Sequence, residues 1–408
     1  MLANVSFEGE KSTDTGIHMS EQSAILPETG SASKENMLCR RIGFLDSAKV
    51  LAIYLVCLYH TANYAHVELR NPVSIGTYAK YFIGGLATIG VPLFLMVNGY
   101  LLLNRPFDLE RHLKRTLRLF LLTILWSLIT ILVVTTIQGD RYSIPQIVRT
   151  IFSLKLGVNN HLWFLFTLVS IYLLFPFLRL SFDYHDKRII WWAFALPFFF
   201  SFGITFVNWG LNTFAFLRRH GAALPGGLYS YIFFNWLNIN PFYGKVYALV
   251  YFVAGGIMGR NSARKGRWVS LPVSTVIAVF FLAALALFGY GIAATSLNGF
   301  KTFDTVYFGY DSMSGLLMTL SAFLFLRRIW RRSGIDKFNA LISSIGANTL
   351  GIYLLHIPLN SLFSHYLQLG FINSIPGALI YALFLLLFSW LLTLLLKRIP
   401  GIRLLFSL

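Results

Sequence analysis

From about residue 44 onward, long apolar stretches alternate with short polar interruptions, most of them basic. A helix that crosses a bilayer needs ~20 mostly apolar residues. On that criterion the pattern predicts about ten spans, at 44–65, 78–103, 116–138, 161–181, 189–207, 242–259, 269–291, 312–329, 346–366 and 375–397. The aromatic segment 228–238 is too short to cross and reads as an interfacial or re-entrant piece. Residues 1–36 are rich in Ser, Glu and Thr and lack the apolar run of a core or a signal peptide, so they read as a disordered cytoplasmic tail. The expected fold is therefore all-α: a polytopic bundle in one membrane domain, 37–408, with both termini cytoplasmic. The pattern shows no fixed-period repeat and no symmetry between halves.

Charge changes this picture in one respect. The 408 residues carry 34 Lys+Arg against 16 Asp+Glu, a formal net charge of +18. In a soluble protein that excess would suggest nucleic acid as a partner. Here 56% of residues are hydrophobic and only 12% charged, about half the share of a soluble domain, which excludes that class. The basic residues instead sort by side of the membrane. One set of flanks holds 23 of the 34, including Arg40, Arg41, Arg111, Lys114, Arg115, Arg118, Arg260, Arg327 and Lys397. The opposite set holds nine, and Lys11 in the tail and Lys49 inside the first span complete the total. The basic flanks are cytoplasmic by this rule. The two cysteines, Cys39 and Cys57, lie at different depths and cannot pair, and no cluster with metal-ligand spacing is present.

Ionisable groups inside a span cost ~2.5–3.5 kcal/mol each at a helix centre, so each needs a reason. The first span, FLDSAKVLAIYLVCLYHTANY, carries Asp46, Lys49 and His60. Lys49 lies within ~20° and Asp46 within ~40° of the His60 face, with Lys49 ~16 Å nearer the cytoplasm. A simpler reading pairs Asp46 with Lys49 at i,i+3 and leaves His60 as an outer cap. His161 opens the fourth span at the outer level of His60, where an interfacial histidine is also ordinary. His356 lies mid-span, pointing into the bundle as a catalytic group or a helix–helix hydrogen bond, with His365 on the opposite face. Asp304 and Asp311, in the connection between the seventh and eighth spans, could orient a histidine, but loop solvation is the expectation. Gly255, Gly256 and Gly259 have the spacing of close helix packing. RHLKRTLR at 111–118 follows the inside-positive bias, with a phosphate clamp as the functional alternative.

Four stretches together resemble the acyltransferase-3 family of integral-membrane acyltransferases, especially its bacterial surface-polysaccharide O-acetyltransferases. They are LDSAKVLAIYLVCLYH at 45–60, VPLFLMVNGYLLL at 91–103 followed by RHLKRTLR, HLWFLFTLVSIYLLFPFL at 161–178, and SSIGANTLGIYLLHIPL at 343–359. The resemblance covers nearly the whole chain from Arg41 to Lys397, and it rests on order and spacing rather than on one motif. Family members carry a basic residue, usually Arg, about ten residues before a histidine in the first helix; here they match Lys49 and His60. The family's pair of third-helix arginines matches Arg115 and Arg118, and its Ser-Gly-aromatic turn matches Asn98-Gly99-Tyr100.

What the resemblance implies is transfer of an acyl group, by default acetyl, from cytoplasmic acyl-CoA to a hydroxyl of a cell-surface or lipid-linked glycan. His60 would be the general base, with Asp46 and Lys49 on its stripe. His161 or His356 would assist or hold the acceptor, and Asn98 or Lys49 would stabilise the oxyanion. Arg115 and Arg118 would bind the phosphates of the donor. The expected partners are acyl-CoA, the glycan acceptor and membrane lipid, with no nucleic acid, no metal and no tightly bound cofactor. The expected location is the plasma or inner membrane. With little chain beyond Lys397-Arg398, no fused esterase-like domain is expected there. Two other classes suit the same residues: a transporter or flippase for a lipid-linked sugar, and a haem protein ligated by two of the histidines. The haem reading needs histidines at equal depth, and His356 reads as too central to pair simply with the others.

Overall fold

The computed structural model describes residues 43–62, 69, 74–153, 159–230, 245–263, 271–330, 336–367 and 370–406. The tail with Cys39, residues 231–238 of the aromatic segment, and the basic residues Arg70, Lys155, Arg264, Lys265, Arg267, Arg331 and Arg332 lie outside them. In chain order the helices are α1 (Gly43–Ala62), α2 (Ile75–Leu86), α3 (Gly90–Leu102), α4 (Leu109–Gln138), α5 (Ile144–Ser153), α6 (Trp163–Asp183) and α7 (Arg188–Phe198). They continue with α8 (Ile204–Arg218), α9 (Tyr247–Ala263), α10 (Val273–Leu297), α11 (Met313–Trp330), α12 (Asp336–Ala347), α13 (Thr349–Leu367) and α14 (Ile375–Leu396). No strand occurs among the described residues.

Among the described residues, eight helical stretches are long and apolar enough to cross a membrane. A ninth is added if Phe338–Ala347 and Thr349–Leu367, bent by 71° across Asn348, count as one broken span. The predicted tenth, 242–259, corresponds to α9, whose 17 helical residues rise only ~25 Å. Two boundaries move for local reasons. Helix α4 starts at Leu109 rather than 116 because Asp108 caps it, accepting from the Arg111 N–H at 3.0 Å. The fifth span runs from Arg188 to Arg218 because a π turn at Phe199–Gly203, just after Pro197, continues the helix instead of ending it.

Helix α1 is the hub and touches α2, α3, α11, α12, α13 and α14. Helices α3 and α9 cross at backbone contact. A Cβ on Gly99 would meet the Phe252 carbonyl, and one on Gly255 would meet the Met96 carbonyl. The expected packing role of Gly255 and Gly256 is what the structure shows. The connection 298–312 is buried among the helices in its middle, residues 303–306, while 299–301 and 307–308 are exposed. Its carbonyls accept from buried side chains: Phe303 from Tyr81 Oη (2.6 Å), Thr305 from Thr88 Oγ1 (3.1 Å) and Tyr310 from Tyr251 Oη (2.9 Å). Irregular backbone at such depth is stable only when protein supplies its partners.

Candidate active site

The chain enters α1 at the end of the bundle that carries the Arg and Lys flanks, and His60 lies in its last turn, at the far end. His161 sits in the single 3₁₀ turn Asn160–Leu162 that leads into α6. His356 is in the middle of α13, four residues past Ile352 and two before Pro358. The three rings form a triangle, with centroids 5.2 Å apart for His60–His356, 5.5 Å for His161–His356 and 6.4 Å for His60–His161. The reading of His356 as too central is thereby corrected. The span is broken at Asn348 with a 71° bend, so position along the predicted run 346–366 does not fix where His356 lies.

The three histidines differ in access and in proton state. His356 and His161 are buried, whereas His60 is half-buried. The Nδ1 of His356 lies 2.5 Å from the Tyr353 carbonyl oxygen. A carbonyl only accepts, so Nδ1 carries the proton and the Nε2 of the neutral ring is a lone pair. That Nε2 is buried and has no hydrogen-bond partner, and the same holds for His161 Nε2. A buried polar atom left unsatisfied costs ~1–3 kcal/mol. Two beside each other point to a ligand or a proton that completes them.

Neighbouring residues fix this triangle in place. Tyr353 Oη donates to the His161 backbone carbonyl. Asn360, one turn beyond His356, donates to the His60 carbonyl (3.2 Å) and accepts from Tyr381 Oη (3.1 Å). Beside His60, Tyr59 Oη donates to Asp304 Oδ2 at 2.8 Å, while the Val306 and Tyr307 N–H groups bond Asp304 Oδ1. Asp304 is buried, so the expectation of simple loop solvation fails for it. On the His161 side, the Trp163 ring packs at a tilt against Tyr310 and carries Lys245 Nζ 4.6 Å from its centroid.

The remaining expected residues lie nearer the basic end. Lys49 Nζ pairs with Asp46 Oδ1 at 3.2 Å, the local i,i+3 pair of the simpler reading, and Asp46 packs against Gly346 of α12. Eleven residues of helix, ~16 Å, separate Lys49 from His60, so this pair is not part of the triangle. Asn98 spends one amide hydrogen on the Phe94 carbonyl (2.8 Å), and its oxygen accepts from Tyr172 Oη (3.3 Å). Arg115 is exposed on α4 within electrostatic reach of Tyr172, and Arg118 is exposed one turn further. The rings of Phe94, Phe164 and Tyr353 touch in series, tilted at 5.9 Å and edge-on at 5.6 Å, between Asn98 and the histidines.

Sequence reasoning passed over Tyr353, Asn360, Tyr59, Tyr172 and the buried His112, whose Nε2 lies 2.8 Å from the Tyr172 carbonyl. Helical spacing held a signal for two of them. Tyr353 and Asn360 stand at i−3 and i+4 from His356, on its face. Among the described residues, no group of three or more His, Cys, Asp or Glu is placed to hold a metal ion.

Comparison with known proteins adds the chemistry that such a site serves. No match was found among curated proteins or among solved structures. The family model described as an acyltransferase domain, that of the acyltransferase-3 family, matches residues 42–394 and so takes in every helix from α1 through nearly all of α14. The chain belongs to the acyltransferase-3 family of membrane acyltransferases.

Proposed function

We propose that this membrane acyltransferase moves an acetyl group from cytoplasmic acetyl-CoA to a hydroxyl of a cell-surface or lipid-linked glycan, in the plasma or inner membrane. The observation that carries the reading is the triangle of histidines, in which the bond from Nδ1 of His356 to the Tyr353 carbonyl leaves Nε2 as the basic nitrogen of the neutral ring. A sugar hydroxyl is a poor nucleophile and needs a base poised to take its proton as it attacks.

In this mechanism the acceptor oxygen attacks the thioester carbonyl carbon while His60, the accessible member, takes the hydroxyl proton. The tetrahedral intermediate collapses with cleavage of the C–S bond. The departing CoA thiolate then takes a proton back from the histidines, leaving the ester on the sugar. His356 or His161, each with an unpartnered Nε2, assists this transfer or holds the acceptor hydroxyl. Asn98, with three aromatic rings between it and the histidines, stands on the donor's side of the site rather than at the oxyanion. Lys49, paired with Asp46 well below His60, serves the donor's phosphates rather than the oxyanion, together with Arg115 and Arg118 at the basic end.

The test is His60→Ala, with His356→Ala beside it, in membranes supplied with radiolabelled acetyl-CoA and the endogenous glycan. General acid–base groups contribute roughly 10²–10⁴-fold. Each variant is expected to lose at least about a hundredfold of label incorporation while binding coenzyme A as the wild type does. Incorporation at the wild-type rate in His60→Ala removes the mechanism. Absence of any glycan label with the wild type removes the acceptor assignment and favours movement of a lipid-linked sugar instead.

A further inference from the structure

Beyond His356, α13 continues to the far end of the bundle and becomes one wall of a cavity of about 670 Å³. The opposite wall is the end of α4 and the turn after it, with Gln138, Asp140 and Tyr142. The α13 wall includes Asn360, Ser364 and His365. Asn360 and Ser364 follow His356 at successive four-residue steps. Each step advances ~6 Å and turns only ~40°, so a polar stripe leads from the histidine triangle into the cavity. Asn360 belongs to both, because its amide also donates to the His60 carbonyl.

The lining has the chemistry of a hydroxyl-rich ligand. Beside Val134, Ile137 and Ile357, its amides, hydroxyls, phenol and imidazole offer both donors and acceptors, and among the described residues no Lys or Arg lines it. Among those residues the formal charge is the carboxylate of Asp140, which disfavours an anion. The volume lies within the ~300–1,000 Å³ range of small-molecule sites and holds a sugar ring with space for its neighbour.

We propose that this cavity is the acceptor subsite: it binds a neutral sugar unit and presents one of its hydroxyls to the His60–His356 pair. The inference rests on the glycan acyltransferase reading above. It places the acceptor on the side opposite to the donor-binding arginines, so that the two substrates meet at the histidines from opposite ends.

The experiment uses two variants of the full chain, Ser364→Trp to fill the cavity and Tyr142→Ala to remove a lining phenol. Two measurements are made on each: label passed from acetyl-CoA to the endogenous glycan, and affinity for coenzyme A itself. Ser364→Trp is expected to lose at least tenfold of glycan labelling, and Tyr142→Ala at least threefold, with coenzyme A affinity within twofold of wild type in both. Wild-type labelling in both variants overturns the proposal and leaves the acyltransferase reading intact. If Ser364→Trp loses coenzyme A binding it has misfolded, and Tyr142→Ala then decides: unchanged labelling in that variant overturns the proposal. If the wild type binds coenzyme A but labels no glycan, the reading beneath the proposal fails and the cavity assignment falls with it.

Discussion

Asp311 shows how little at the residue scale follows from composition. It sits in the connection before α11 and accepts a hydrogen bond from Thr205 Oγ1 at 2.8 Å. Burial pushes its carboxyl up to about 6, although the Thr205 bond and the nearby Lys245 pull it down. A raised carboxyl means that the folded chain prefers the neutral acid. The stability it contributes is complete below the unfolded value of 3.8 and is lost as the pH rises through 6. Asp311→Asn keeps the acceptor for Thr205 and removes the ionisation. It is expected to raise the thermal midpoint of the purified protein at pH 7 and to leave it unchanged at pH 4. An equal effect at both pH values contradicts this account. Asp304, seven residues earlier, looks alike in sequence and is bound differently, by Tyr59 and two backbone N–H groups beside His60. Asp304 caps its own turn through Val306 and Tyr307, but the side-chain partners of both aspartates are distant. Their partners come from α1 and α8, far away along the chain.

At the scale of elements, the crossing of α3 and α9 depends on missing side chains. Adding a Cβ at Gly255 drives it into the Met96 carbonyl, and adding one at Gly99 drives it into the Phe252 carbonyl. Backbone cannot rotate away as a side chain can, and overpacking of this kind costs about 1–3 kcal/mol. Gly255→Ala and Gly99→Ala are each expected to lower the thermal midpoint. Gly289→Ala, on α10 with open space around it, is expected to be neutral or slightly stabilising. The two crossing variants share one contact, so their combined effect should be less than additive. If Gly255→Ala matches Gly289→Ala in thermal midpoint, the helices do not cross there. The same scale explains the broken span. Asn348 lies between α12 and α13, and Lys397 from the end of α14 donates to its side-chain oxygen at 2.7 Å. The desolvation of that ammonium lowers its pKa from the usual lysine range. The bend aims α13 so that Tyr353, His356 and Asn360 all face α1 or α6.

For the whole molecule, the excess of basic residues assigns the sides, and labelling can test it. In a Cys39→Ser background the remaining cysteine, Cys57, is buried. Glu110→Cys, at an exposed position of α4, should react with a membrane-impermeant maleimide only after cells are broken. Lys301→Cys, in the connection at the opposite end, should react in intact cells. The reverse pattern inverts the assignment of donor and acceptor sides. Periodicity and charge along the sequence determined that this is an all-α membrane bundle, roughly where its apolar spans lie and which flanks are basic, because a bilayer demands long apolar runs wherever the chain crosses. The sequence also marked His60, His161 and His356 singly, since polar groups are expensive inside a membrane. Only the tertiary structure decided that the three histidines share one site and that Lys49 does not. It also decided that Tyr353 fixes the His356 tautomer and that residues 303–306 of the connection are buried. Helical spacing governs contacts within one segment. Distances between α1, α6 and α13 depend on a bend and on helix crossings set by glycines far along the chain from the groups they bring together.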